Sequence, residues 1–248
     1  MTNPDPPSDD PYIWHVHPPL YAPYPSLRQE YVNLLAHMKI TRLSAVQNQA
    51  KKLLANVQQG KYAEVATKLG IPQLFIATSF EREASSNFAL SPAQGDPWNE
   101  VSTHVPRGLG PFANWTAAAI KSYTMIGLDK IGIANWTWPM LCYQCERFNG
   151  FGYRQFGINT PYDWAGTNEY TNGKYTSDGS FSRTAVDVQL GTIPVARTMA
   201  IAHPELNLPL WPGLSLGLPP PIPMQVPLSL APPGKNLSVW EQLGLQDN

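Results

Sequence analysis

Two carboxylates in this chain of 248 residues have neighbours that suit them to proton transfer, Glu83 and Asp96. The segment Ile71-Pro72-Gln73-Leu74-Phe75-Ile76-Ala77 is apolar, and it runs on into Phe80-Glu81-Arg82-Glu83-Ala84-Ser85-Ser86-Asn87-Phe88. On a helix, Glu81 and Glu83 point to different faces. Glu83 falls seven and eight positions after Ile76 and Phe75, on the apolar stripe. A carboxyl group there meets desolvation and the negative end of the helix dipole, both of which favour its protonated form. A carboxylic acid that keeps its proton near neutral pH can act as a general acid. Asp96 lies in Gln94-Gly95-Asp96-Pro97-Trp98, a turn-forming segment that could set a second carboxylate across a cleft from the first. One acid on a helix end and one on a nearby loop are the minimum apparatus for opening a glycosidic bond. Taken singly, each has a plainer reading: a solvated helix end for Glu81 to Glu83, and ordinary Asp-Pro turn chemistry for Asp96.

The segments that follow supply groups able to hold a sugar. They are Ser102-Thr103-His104-Val105-Pro106-Arg107-Gly108, Glu146-Arg147-Phe148-Asn149-Gly150-Phe151-Gly152-Tyr153-Arg154, Asn159-Thr160-Pro161-Tyr162-Asp163-Trp164 and Tyr170-Thr171-Asn172-Gly173-Lys174-Tyr175. Rings stack on the apolar faces of pyranose units, while amides and cations reach hydroxyl and acetamido groups. The same rings could simply cap a core. His104 is near enough to the Gly-Asp-Pro turn to touch a substrate or to make a structural hydrogen bond. Cys142 and Cys145 form a C-x-x-C without a second pair, so no zinc site is expected and buried reduced thiols are. His15 and His17 have no acidic or thiol partner in register, and no metal or cofactor is expected. The chain has no G-x-S-x-G, H-E-x-x-H or P-loop, and its Gly150-Phe151-Gly152 does not follow a buried strand, as a dinucleotide fingerprint would.

The elements that must position these groups read mostly as helices. Residues 26–39, 42–59, 61–70, 72–86, 115–129, 137–150 and 182–202 carry helical spacing. Ser26 and Thr41 are candidate caps, Gly70 a stop, and Gly191 with Pro194 an expected kink or split in the last helix. Residues 89–112 and 149–181 are rich in Gly, Pro, Asn and aromatics and read as the loops. Charged residues make up 14% of the chain, against about 25% in typical soluble domains. Proline is crowded into 1–25 and 204–248, which also hold six acidic residues against Lys235 alone. The expected organisation is therefore a Pro-rich aromatic arm (1–25), one domain (26–203) and a Pro-rich tail or linker (204–248). The aromatic arm is expected to dock on something. A net charge of −1 argues against a nucleic-acid partner, and no stretch is apolar enough to insert in a membrane. The acidic, Pro-rich first residues do not read as an export signal.

The run FIATSFEREASSNF, GDPW, STHVPRG, LDKI, CERFNGFGYRQFGINTPYDW, YTNGKYTSDGSF and AVDVQLG resembles a family of bacterial and phage lysozyme-like proteins. That family is itself similar to goose-type lysozymes and soluble lytic transglycosylases. Order and spacing match over about residues 28–200. The resemblance implies a mainly α, lysozyme-like α+β fold, with a short hairpin and loop region flanking the cleft. It implies cleavage of the β-1,4 bond of peptidoglycan glycan strands. Glu83 matches the helix-terminal catalytic Glu, and Asp96 the acid of the G-D-P motif, as the candidate for positioning water. Asn149, Gly150, Tyr153, Tyr162 and Tyr175 match motif positions expected to line the groove. Ser85, Thr103, His104, Trp164 and Lys174 complete the candidate substrate-binding set. The chain departs from the pattern at Ala84, where Ser is usual, and at Trp98, where Leu is usual.

The expected function is a glycoside hydrolase of muramidase type, a monomer made in the cytoplasm. It would meet the wall after release or phage-mediated export, as an endolysin does. The alternatives are a lytic transglycosylase, which needs a single acid/base, a chitin or chitosan hydrolase, and a non-catalytic wall-binding or phage structural module.

Overall fold

The run Leu74 to Phe80 offers water no polar face, and a helix that is apolar all round belongs inside a fold. In the computed structural model, which describes residues 23–93, 95–104, 107–177 and 180–209, this run forms the body of α4 (Gln73–Ala84) and is buried throughout. The hydroxyls of Thr78 and Ser79 donate back to the carbonyls of Leu74 and Phe75, both at 2.7 Å, so no side-chain donor is stranded there. A second helix of the same kind, α8 (Thr192–Ala202), is buried from Thr192 to Ala200 and packs along α4.

The other helices wrap this pair. In chain order they are α1 (Tyr24–His37), α2 (Leu43–Gln58), α3 (Ala63–Leu69), α5 (Trp115–Met125), α6 (Trp138–Asn149) and the single turn α7 (Pro161–Trp164). α2 lies along α8, α1 along α6, and α3 along α5. Tyr31, Leu53, Phe75, Phe80, Trp136, Trp138 and Met199 are among the side chains that fill the shared core. The described strands are β1 (Lys174–Ser177) and β2 (Ser180–Ser182). They pair antiparallel, with Lys174 opposite Ser182 and Tyr175 opposite Phe181. The molecule is thus mainly α with a short hairpin. No helix among the described residues is long and apolar enough to cross a membrane.

Local signals explain most boundaries. Gly70 ends α3 in the left-handed conformation (φ 63°), where a Cβ would be strained. Asn114 and Thr137 cap α5 and α6, accepting from the backbone N–H of Ala117 (2.8 Å) and Met140 (3.3 Å). Several expectations need correction. α1 begins at Tyr24, so Ser26 lies in its first turn and donates to the Pro23 carbonyl. Thr41 does not cap α2; its N–H is taken by the Gly166 carbonyl. α5 stops at Met125, because Gly127 turns left-handed (φ 72°) before a short 3-10 turn at Leu128–Lys130. Residues 183–191 are not helical. α8 starts only at Thr192 and runs unbroken through Pro194, which sits in the first turn, where an N–H has no intrahelical acceptor.

Packing also continues past 203. Trp138 Nε1 donates to Asn207 at 3.0 Å, and Leu208 is buried. The docking expected of the aromatic arm, His15, His17 and nearly all of the Pro-rich tail lie outside the described residues.

Candidate active site

Glu83 stands on the last turn of α4, where the buried helix reaches the surface. It keeps part of its surface exposed, yet its carboxyl is enclosed enough for desolvation to dominate. That pushes the carboxyl up to about 7, against the opposing pull of the Tyr162 hydroxyl and the Arg82 charge. The protonated form is therefore accessible near neutral pH, unlike that of an ordinary carboxyl. Its helix neighbours differ. Both Glu81 oxygens meet Lys52 Nζ, at 3.1 and 3.0 Å, and one also accepts from the Ser86 hydroxyl at 2.6 Å. No salt bridge reaches Glu83 among the described residues.

The helix ends abruptly there. Ser85 (φ 52°) and Ser86 (φ 56°) are both left-handed, at a cost of about 1–2 kcal/mol each for residues with a Cβ. Lys52 Nζ donates to the Ser85 carbonyl at 3.1 Å and so ties the turn to α2. The chain then doubles back: Leu90 bridges Pro97, and Trp98 Nε1 donates to the Phe88 carbonyl at 2.8 Å. This return brings Gly95 against the backbone of Glu83. A Cβ at Gly95 would lie 3.2 Å from the Glu83 carbonyl oxygen.

Asp96 follows directly, and its carboxylate organises the next loop. One oxygen accepts from the backbone N–H of Thr103 (2.9 Å) and of His104 (3.0 Å); the other meets His104 Nδ1 at 2.6 Å. Burial acts to raise its pKa, but the His104 and Thr103 contacts outweigh burial and hold it below the usual carboxylate range. Asp96 is therefore an ionised group. Thr103 and His104 stand exposed around it.

Tyr162 meets Glu83 from the protein side. At 3% exposure, with a fully buried hydroxyl, Tyr162 lies behind the acid instead of in an open groove. The hydroxyl faces the Glu83 carboxyl but meets no partner at full hydrogen-bond geometry among the described residues. Burial and the Glu83 charge raise the phenol well above its usual range, so it stays a donor. Asn149 and Thr160 serve this placement. Asn149 donates to the Thr160 hydroxyl at 3.3 Å, and that hydroxyl caps α7 by accepting from the Tyr162 N–H at 3.2 Å. Gly150 is buried and ends α6 at φ 91°, a left-handed value open to glycine. No protein-family model matches the chain, and no curated protein or solved structure does.

The hairpin carries the remaining candidate residues. Lys174 on β1 reaches Asp187 at 3.4 Å. The Tyr175 hydroxyl accepts from Gln155 at 2.8 Å, and its ring meets that of Tyr153 edge-on at 5.2 Å. Phe156 and Phe181 stack beside them with centroids 3.8 Å apart. Trp164 is only 1% exposed, so it offers no ring face to a ligand here. Cys142 and Cys145 are free and buried. Among the described residues no set of His, Cys, Asp or Glu side chains gathers as a metal site.

Sequence reasoning missed two residues of this site. In the sequence Arg82 reads as part of a solvated helix end, and Asp187 is one residue of AVDVQLG. The structure joins them at 2.9 Å, both mostly buried. A signal was present: Asp187 is the one acidic residue between Val186 and Val188, in an alternating stretch whose polar member turns inward.

Proposed function

We propose that this chain cleaves the β-1,4 glycosidic bond of peptidoglycan glycan strands, with a lysozyme-like fold and Glu83 as general acid. The observation that carries this reading is a part-exposed carboxyl group at the end of a buried helix, whose pKa desolvation pushes up to about 7. Such a group can protonate a leaving glycosidic oxygen, as the first step of hydrolysis requires. The Tyr162 hydroxyl would then donate to the carboxylate that remains. The polar, ring-bearing surface of the 102–104 loop and the hairpin suits a carbohydrate. Substrate would be met at the wall after release or export.

Asp96 is the candidate for holding the attacking water. Its two oxygens are already engaged by Thr103 and His104, which favours a second reading. A lytic transglycosylase uses the 6-hydroxyl of the sugar itself and needs only one acid/base, so it does not require Asp96 to be free. Purified cell-wall sacculi should lose turbidity with the wild-type protein and keep it with Glu83→Gln, which should still bind the wall. Mass analysis of the fragments separates the two chemistries, because hydrolysis leaves reducing ends and transglycosylation leaves 1,6-anhydro ends. Chitin and chitosan serve as parallel substrates. If the wild-type protein releases nothing from any of the three, the chain is a binding or structural module; if Glu83→Gln releases as much as wild type, Glu83 is not the acid.

A further inference from the structure

Arg82 is held on three sides. Nη2 donates to Asp187 at 2.9 Å, Nη1 reaches the Leu190 carbonyl at 3.4 Å, and the guanidinium lies over the Tyr162 ring, 5.0 Å from its centroid. Asp187 is itself fixed. Its second oxygen accepts from Lys174 (3.4 Å) and from the Gln189 N–H (3.1 Å), and its own N–H donates to the Tyr170 hydroxyl at 3.0 Å. The phenol beneath Arg82 is the one that faces Glu83. A connected set thus runs from the hairpin through Lys174, Asp187, Arg82 and Tyr162 to the acid.

We infer that Asp187 is a positioning residue for Glu83, acting through Arg82: it offsets part of the guanidinium charge and holds that group on the Tyr162 ring. The inference rests on the reading of Glu83 as a proton donor. Arg82 is adjacent to Glu83 in sequence, and an uncancelled positive charge there favours the carboxylate. A carboxylate that parts with its proton too early cannot protonate a leaving group. Pairing Arg82 with Asp187 weakens that pull without abolishing it and turns the guanidinium toward residues 187–190. It also fixes the ring that carries the Tyr162 hydroxyl. Burial acts to raise the pKa of Asp187, but Arg82 and Lys174 more than offset it, so the opposing charge is present across the working range.

Ionised Asp96 follows Gly95, which lies against the Glu83 backbone; among the described residues the other groups packed around the carboxyl are neutral. They are Tyr162 from α7 and Tyr123 from α5, both with pKa values raised by burial, and beside those rings the buried thiol of Cys145 from α6. Arg82 is thus the charge through which a distant residue can reach the acid. The groups facing Asp187 are Arg82 from α4, Lys174 from β1, and the phenols of Tyr170 and Tyr153. Lys174 makes the hairpin part of the device.

The test reads Glu83 directly, by carbon-13 NMR titration of its carboxyl in the full chain, with the signal assigned by its loss in Glu83→Gln. Asp187→Asn should lower the Glu83 midpoint by about one pH unit. Arg82→Gln and Lys174→Met, each of which removes a positive charge, should raise it. The double variant of Arg82→Gln and Asp187→Asn should return toward wild type, whereas a merely structural role would not give opposite signs. If Asp187→Asn does not fold, the upward shift in Lys174→Met, a change at a part-exposed site, still decides. Midpoints that stay put, or that all move the same way, overturn the inference. The titration does not depend on turnover. Loss of this coupling is therefore distinguishable from a protein that cuts no glycan.

Discussion

At the residue scale, Glu83 carries opposed demands from chemistry and stability. Its pKa rises from the ordinary 4.5 to about 7 on folding. Between those values the folded chain binds more protons than the unfolded one, so stability falls as pH rises through that window. Glu83→Gln abolishes the penalty. We expect it to be more stable than wild type at pH 8 by about 1–3 kcal/mol, the upper figure reduced by partial exposure, with the two curves converging near pH 4. Urea denaturation at both pH values measures this. A Gln variant no more stable at pH 8 would mean that the carboxyl is well solvated. Activity has the matching sign. Wall lysis should decline as pH rises through about 7, where the acid loses its proton. Ionisation of Asp96 should not limit the same profile until well into the acid range, since its pKa is lowered. A profile flat to pH 9 would remove Glu83 from the proton-donating role.

At the element scale, two glycines fix how α4, α7 and α8 meet. Gly191 precedes α8 with an ordinary φ of −68°, so its requirement is spatial. A Cβ there would sit 2.3 Å from the Asp163 carbonyl oxygen and 2.7 Å from the Ala165 nitrogen, both backbone. Gly191→Ala should cost about 1–3 kcal/mol or more by thermal or urea unfolding, as overpacking against an unyielding neighbour does. Gly95→Ala differs in kind. Its φ of +72° and the 3.2 Å approach to the Glu83 carbonyl oxygen place the strain at the acid itself. That variant should lose activity several-fold while giving up only about 1 kcal/mol of stability; equal activity of mutant and wild type would show that the loop does not position Glu83. These elements also mark how far the sequence could be read. Amphipathic α2 has its apolar side at Val46, Ala50, Leu53 and Leu54, and its spacing was plain. α8 is apolar on every side, so periodicity could not mark its start, and its helical pattern merged with that of residues 183–190. The Glu83 helix end was legible from one apolar stripe closing on a carboxylate. Arg82 with Asp187 was not, because their meeting depends on a fold-back of the chain that no local pattern records. Tyr162 and Asn149 read from the sequence as groove-lining residues, whereas the fold sets the buried Tyr162 behind Glu83 and ties Asn149 to Thr160; spacing alone does not separate a residue lining a groove from one packed behind it.

At the scale of the whole molecule, α4 and α8 form the centre of the core: Leu74 to Phe80 and Thr192 to Ala200 are buried, so each run depends on its packed neighbours to leave water. Cys142 and Cys145 report on this assembly. Both lie on α6 with no exposed surface, and burial raises both thiols well above their usual range, so little thiolate exists in the folded state. Asp163 is fully buried beside them, its carboxyl oxygens have no hydrogen-bond partner among the described residues, and the same desolvation pushes its pKa well above the usual range. These groups make the α6 side of the core intolerant of partial opening, since water reaching Asp163 would favour its ionised form and separate α7 from α8. A disulfide-exchange reagent at pH 8 should therefore modify neither thiol in the native protein. Across a urea series, both should become reactive together, with the midpoint seen by far-ultraviolet circular dichroism. Reaction of either thiol well before that midpoint would mean that α6 detaches while the α4 and α8 pair stays closed, and the helices would then unfold as separate units.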